Sequence, residues 1–126
     1  MINFKDIYWL SGLLEGEGCF AITVHKKKST IKYKSGVRYS ITPRVIMSST
    51  DLDIVKRAAS ILGATNLSTQ KRLATKNYHT ASIYGVNAIG WMMTLYPMMG
   101  IRRKAKIKSI INSWRCNFNN LKTSNA

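Results

Sequence analysis

Acidic residues are scarce in this sequence. Five Asp and Glu stand against 20 Lys and Arg in 126 residues, a formal charge of +15. That imbalance implies a polyanionic partner, with nucleic acid first and an acidic membrane surface second. Cysteine is nearly absent too: Cys19 and Cys116 lie far apart and match no metal-ligand spacing, so they read as two reduced thiols of a cytosol-like compartment. No apolar run approaches the ~20 residues a membrane span needs. The start, M-I-N-F-K-D-I-Y, has no basic segment leading into an apolar core, so no signal peptide is evident. What is abundant is apolar: 45% of residues are hydrophobic, which fits a globular chain and not a disordered basic tail. A chain of 126 residues is expected to form one domain with an ordinary core. Its high Ile, Lys and Asn content hints at an AT-rich coding genome.

The basic residues are grouped. Lys26, Lys27 and Lys28 lead to Lys32, Lys34 and Arg38; Lys71, Arg72 and Lys76 form a second cluster; Arg102, Arg103, Lys104, Lys106 and Lys108 form a third. One such cluster is compatible with a solvated face, but three with almost no interspersed acid favour nucleic acid.

Periodicity predicts the order α-β-β-α-β-β-α-α. Phe4 to Glu17 reads as a helix with Asn3 as N-cap and Asp6 placed for a capping box. Its apolar positions cover too much of the circumference for one stripe, so burial on two sides is expected. Cys19–Lys27 and Val37–Met47 alternate like strands, with Pro43 marking an edge or a bulge in the second. Thr50-x-x-Asp53 opens a helix that Gly63 ends. Weaker strands are expected near Thr65–Leu73 and Asn77–Tyr84. A third helix carries Ile89, Met92, Met93 and Tyr96 and stops at Pro97, its methionines read as core filling. A basic helix after Gly100 sets Ile107, Ile111, Trp114 and Phe118 on one face and is expected to fray from about Asn117. Two hairpins with amphipathic helices imply an α+β fold, a four-stranded antiparallel sheet covered by helices on one face. The other face would show Thr23, His25 and Lys27 on one strand and Arg38, Ser40, Thr42 and Arg44 on the next. Such a surface can lie in a DNA major groove and read base edges.

Glu15 and Glu17, the only glutamates, sit at the C-terminal end of the first predicted helix, where the dipole disfavours carboxylates. Glu17 beside exposed backbone carbonyls makes an all-oxygen site suited to Mg²⁺. The alternative is a helix-end glutamate paired with a nearby Lys or Arg. Gly12 and Gly16 share one helix face, and two glycines there invite close approach of another backbone. A second copy of the helix in a two-fold dimer fits, with Tyr8 on the contact surface, and so does a contact within one chain.

Residues 10 to 18, L-S-G-L-L-E-G-E-G, resemble the nine-residue signature of the LAGLIDADG homing endonucleases. Pro97 before a basic helix and the element order extend the resemblance over most of the chain, although only the motif is specific. Glutamate replaces aspartate at both acidic positions, keeping charge and ligand chemistry, and Ser11 stands where alanine is usual. The resemblance implies an αββαββα(α) fold with a curved DNA-binding saddle, and a homodimer, because the chain has one motif. It implies double-stranded DNA as substrate, cleaved with 3′ overhangs at a long pseudo-palindromic site, with Mg²⁺ (Mn²⁺ substituting) as cofactor. Carried over by position, Glu17 and the Gly16 carbonyl are the metal ligands, and Glu15 is structural. A basic residue usually follows the proline to stabilise the scissile phosphate; Arg102, Arg103 and Lys104 occupy that region, and spacing favours Arg102 while leaving all three as candidates. Where a glutamine usually orients water, this chain has Met47 and Ser48, of which only Ser48 can serve. Lys28, Lys32, Lys34, Gln70, Arg72 and Thr80 join the DNA-contacting set. The implied role is intron or gene mobility in an organelle, a phage or a bacterial cytoplasm. The competing reading is a non-catalytic binder on the same scaffold, an RNA-splicing maturase or a transcriptional regulator.

Overall fold

A computed structural model of the chain describes residues 3–27, 38–64, 67–70 and 77–124, with side chains described outside 25–27, 38–39 and 117–124. Helix α1 spans Phe4–Glu17, followed by strands β1 (Gly18–Lys27) and β2 (Arg38–Ser49) and helix α2 (Leu52–Leu62). Strands β3 (Leu67–Gln70) and β4 (Tyr78–Tyr84) lead to helices α3 (Gly85–Leu95) and α4 (Ile101–Ser124), with a 3₁₀ turn over Tyr96–Met98 between those two. The strands form one antiparallel sheet in the order β1-β2-β4-β3. The α+β, four-stranded architecture predicted from periodicity is present, and its element order is the predicted one.

Local chemistry accounts for most boundaries. The Asn3 side chain accepts the Asp6 N–H at 2.9 Å and caps α1. Gly63, at φ 72°, closes α2 in the left-handed conformation that glycine adopts without strain. The N-cap of α2 is Asp51, one residue later than predicted from Thr50. The β2–β4 ladder holds the chain extended to Ser49, and Thr50 is needed to turn out of it. Pro97 lies inside the 3₁₀ turn, near its start, where a missing N–H breaks nothing. At Pro43 the β1 ladder runs without interruption from Gly18↔Met47 to Lys27↔Arg38, so there is no bulge. Strand β4 pairs with β2 only from Arg44 onward, which leaves Pro43 on an edge.

All four helices cover one face of the sheet. Phe20, Val45, Met47, Ala81 and Ile83 from the strands meet Leu10 and Leu14 of α1, Val55 and Leu62 of α2, Met92 and Leu95 of α3, and Ile107 and Ile110 of α4, all buried. Burial stabilises each large apolar side chain by about 1.5–3 kcal/mol relative to exposure. Two predicted core positions differ. Met92 is fully buried but Met93, the next position around the helix, is 46% exposed. On α4 it is Ile110 that is completely enclosed, while Ile111 packs at the margin. The backbone of α4 is helical through Asn117 to Ser124. Arg57 of α2 stacks 4.1 Å over the Trp9 ring and reaches Asp6 at 3.9 Å, tying α2 to α1. Within one chain α1 is covered on one side only: Leu10, Ser11 and Leu14 are buried, whereas Phe4 and Tyr8 are 78% and 65% exposed.

Candidate functional site

Cross-strand partners share a face of the sheet, so the register fixes which side each predicted contact occupies. The pairs Thr23↔Thr42, His25↔Ser40 and Lys27↔Arg38 link β1 and β2, and Arg44↔Tyr84, Ile46↔Ser82 and Ser48↔Thr80 link β2 and β4. Ser68↔Thr80 and Gln70↔Tyr78 extend the set to β3. By position, Thr23, His25, Lys27, Arg38, Ser40, Thr42, Arg44, Ser48, Gln70 and Thr80 therefore share the face opposite the helices. Lys28, Lys32, Lys34 and Arg72 lie outside the described residues. Tyr78, Ser82 and Tyr84 belong to this face and were missed in the sequence, although they alternate in phase with Thr80 along the strand.

Several polar groups on this face hold one another. The Tyr78 hydroxyl donates to the Gln70 side-chain oxygen, and the hydroxyls of Ser48 and Thr80 are 2.8 Å apart. Arg44 Nη1 donates to Thr23 Oγ1 at 3.3 Å, and the guanidinium carbon lies 5.2 Å from the centre of the Tyr84 ring. Arg44 Nε is buried with no hydrogen-bond partner. The Tyr84 hydroxyl is 3.1 Å from Ser82 Oγ. That contact, helped by the Arg44 hydrogen bond and charge and opposed by burial, holds the phenol below the ordinary tyrosine value.

At the end of α1 the two glutamates part company. The Glu15 carboxylate accepts the Gly100 N–H at 3.2 Å and lies 4.0 Å from Arg103 Nε. Arg103 donates Nε to the Glu15 carbonyl at 3.0 Å and Nη1 to the Gly18 carbonyl at 2.7 Å. A guanidinium from α4 thus satisfies carbonyls at the C-terminal end of α1, where cations are favoured. Arg103 does not take the Gly16 carbonyl. Glu17 is exposed and opens on an open depression of about 480 Å³ lined by Ser48, Ser49, Thr50, Asp51 and Tyr78. Ser48 is thus brought to Glu17. Arg102 instead lines a separate hollow with Gly18, Cys19, Phe20, Arg103 and Lys106. The Lys104 ammonium stands 5.6 Å from the centre of the Tyr96 ring. Among the described residues no three His, Cys, Asp or Glu side chains converge into a metal cluster. The exposed Glu17 carboxylate, with Asp51 on the same depression, still fits Mg²⁺, which keeps waters and takes substrate phosphate oxygens instead of needing an all-protein cage. Gly12 and Gly16 face open space: a Cβ added at either meets nothing within 4 Å.

Residues 10–115 match the LAGLIDADG endonuclease family. No curated protein matches the chain. Among solved structures, the homing endonuclease I-CvuI in complex with its target and Ca aligns with a TM-score of 0.70 and 19% identity, covering 97% of this chain and 75% of that one. The same enzyme on the I-CreI target, with Mg and the DNA not cleaved, gives 0.64 and 18%, covering 90% and 69%. The LAGLIDADG meganuclease I-CpaMI bound to uncleaved DNA gives 0.61 and 18%, covering 95% of this chain but 39% of the longer one. At these identities the likeness is one of fold. Fold, motif and the greater part of the length agree, and the chain, which carries one copy of the motif, belongs to the LAGLIDADG homing endonuclease family.

Proposed function

We propose that this chain is a site-specific DNA endonuclease that works as a homodimer, each 126-residue copy forming one domain and supplying half of the catalytic machinery. The observation that carries the proposal is the Glu17 carboxylate. It is free of the ion pair that occupies Glu15 and Arg103, and it is exposed at the junction between α1 and the sheet that bears the polar face. Glu17 and the Gly16 carbonyl would hold Mg²⁺, or Mn²⁺ in its place. When bound, the ion would activate water and stabilise the leaving oxygen.

The remaining roles fall to the chain itself. The polar sheet face lies along the major groove and places the duplex. Ser48, held by Thr80, orients solvent beside Glu17. The exposed Arg102 supplies positive charge toward the scissile phosphate. Arg103 positions the end of α1 instead of meeting DNA, and Lys104 is directed to Tyr96. The exposed row Phe4, Tyr8, Gly12 and Gly16 is the surface for a second α1, which brings both copies of Glu17 to one duplex. The product would be a double-strand break with 3′ overhangs in a long pseudo-palindromic site, serving intron or gene mobility.

The test begins with a duplex recovered by binding selection from a randomised pool. Incubation with Mg²⁺ is expected to cut both strands, and chelation to stop it. A chain that binds this site and nicks it with neither Mg²⁺ nor Mn²⁺ is a non-catalytic binder, the maturase or regulator of the alternative reading.

A further inference from the structure

Among the residues whose side chains are described, the polar face contains one cation, Arg44, whose charge no carboxylate balances and whose geometry is set before any ligand arrives. Arg44 lies on β2 where Ala21 is its partner on β1 and Tyr84 its partner on β4, so it is flanked by strands on both sides. Ala21 presents only a methyl group and leaves room beside the guanidinium. Thr23, diagonal to it, accepts from Nη1, and the Tyr84 ring lies beneath at 5.2 Å, its hydroxyl fixed by Ser82. Among the described residues the ion pairs are Arg57 with Asp6 and Arg103 with Glu15, and neither involves Arg44.

From this arrangement, and resting on the DNA-cleaving role proposed above, we infer that Arg44 reads a guanine in each half-site and that Tyr84 and Thr23 are its positioning residues. Guanine offers O6 and N7 on its major-groove edge, two acceptors that match a guanidinium fork. A fork can meet them side-on, through Nε and one terminal nitrogen, or end-on, through both terminal nitrogens. The buried Nε removes the side-on mode. The terminal nitrogens carry four N–H groups; Thr23 takes one, which leaves hydrogens for an end-on pair. Stacking on Tyr84 fixes the plane of the fork before binding, which reduces the ordering cost of forming two bonds at once. A phosphate contact needs no such fixed plane, because any cation within reach attracts it. Lysine would preserve the charge and lose the fork.

The experiment is binding-site selection from randomised duplexes under chelating conditions, so that cleavage plays no part. Wild type, Arg44→Lys, Tyr84→Phe, Tyr84→Ala and Thr23→Val are compared, with thermal melting of each as a control for folding. The wild-type half-site should contain one invariant guanine. Arg44→Lys should reduce the preference for guanine at that position roughly 5- to 150-fold, the loss of one bidentate contact, and leave the other positions unchanged. Tyr84→Ala and Thr23→Val should weaken preference at the same position, and Tyr84→Phe, which keeps the ring, should weaken it less than Tyr84→Ala. Unchanged preferences in Arg44→Lys, or an equal loss of affinity for every sequence, would assign Arg44 to phosphate and overturn the inference. A loss of preference in Arg44→Lys with none in Tyr84→Ala and Thr23→Val would overturn the positioning roles. If the wild type enriches no site, the DNA-cleaving role itself fails, and the guanine assignment with it.

Discussion

Two carboxylates one residue apart in sequence have different surroundings, and Arg103 is the reason. Its guanidinium satisfies the carbonyls of Glu15 and Gly18 and stands near the Glu15 side chain, 14% exposed against 44% for its partner. A helix end that electrostatics alone would keep free of acids is thereby made compatible with one. Arg103 makes no bond to Glu17, which leaves that carboxylate for other chemistry. Arg103→Ala removes two charge-assisted bonds to backbone oxygens and the anchor between α4 and the α1–β1 junction. Such bonds contribute about 1.5–3 kcal/mol each at most, and water replaces part of them at this partly open site. The variant should lose about 2 kcal/mol of stability in denaturant melts. A loss within ~0.5 kcal/mol, typical of an unremarkable surface substitution, would contradict this role. The sequence shows three consecutive basic residues here, and periodicity cannot tell which one turns back to cap α1, because the bond spans 85 positions.

At the scale of elements, the glycines of α1 divide by what surrounds them. A Cβ at Gly18 would lie 2.6 Å from Leu14 Cδ2 and 2.7 Å from the Leu14 carbonyl oxygen, too close to a helix turn that is itself packed in the core. Gly18→Ala should therefore be destabilising by about 1–3 kcal/mol. Gly12→Ala meets nothing within the chain and gains up to ~1 kcal/mol of helix propensity. If the open face of α1 is where a second copy docks, the same substitution should stabilise the isolated chain and weaken self-association in sedimentation. Unchanged association would move the dimer surface elsewhere. The elements themselves were largely legible: Asn3 and Gly63 as caps, the alternation of β1 and β2, and the apolar stripe of α2 are local signals. Met93 and the cap of α2 were not. Met92 and Met93 are chemically identical neighbours, and only the direction of the sheet decides which is buried. Burial of α1 on two sides was inferred from its composition, yet one chain covers one side, and the residual face is visible only once the sheet is placed.

For the whole molecule, a charge of +15 and a face without carboxylates among its register positions make a surface suited to a polyanion, and the helices on the other side leave that surface free. Charge and strand phase were readable from the sequence, including the common side of Thr23, Thr42 and Arg44. The mutual support of Arg44, Tyr84 and Ser82 was not, because it depends on the pairing of β2 with β4 across the whole of α2 and β3. Nor does the sequence show that Ser48 shares a hollow with Glu17 while Arg102 lines a different one. In the proposed function Glu17 holds the catalytic metal while the sheet does the binding. Cleavage and binding of one selected duplex by the wild type and by Glu17→Gln, in Mg²⁺, separate these two functions. Affinities should match within a few-fold, with double-strand cleavage lost in the variant alone. A Glu17→Gln protein that cuts as fast as the wild type would rule out Glu17 as the metal ligand.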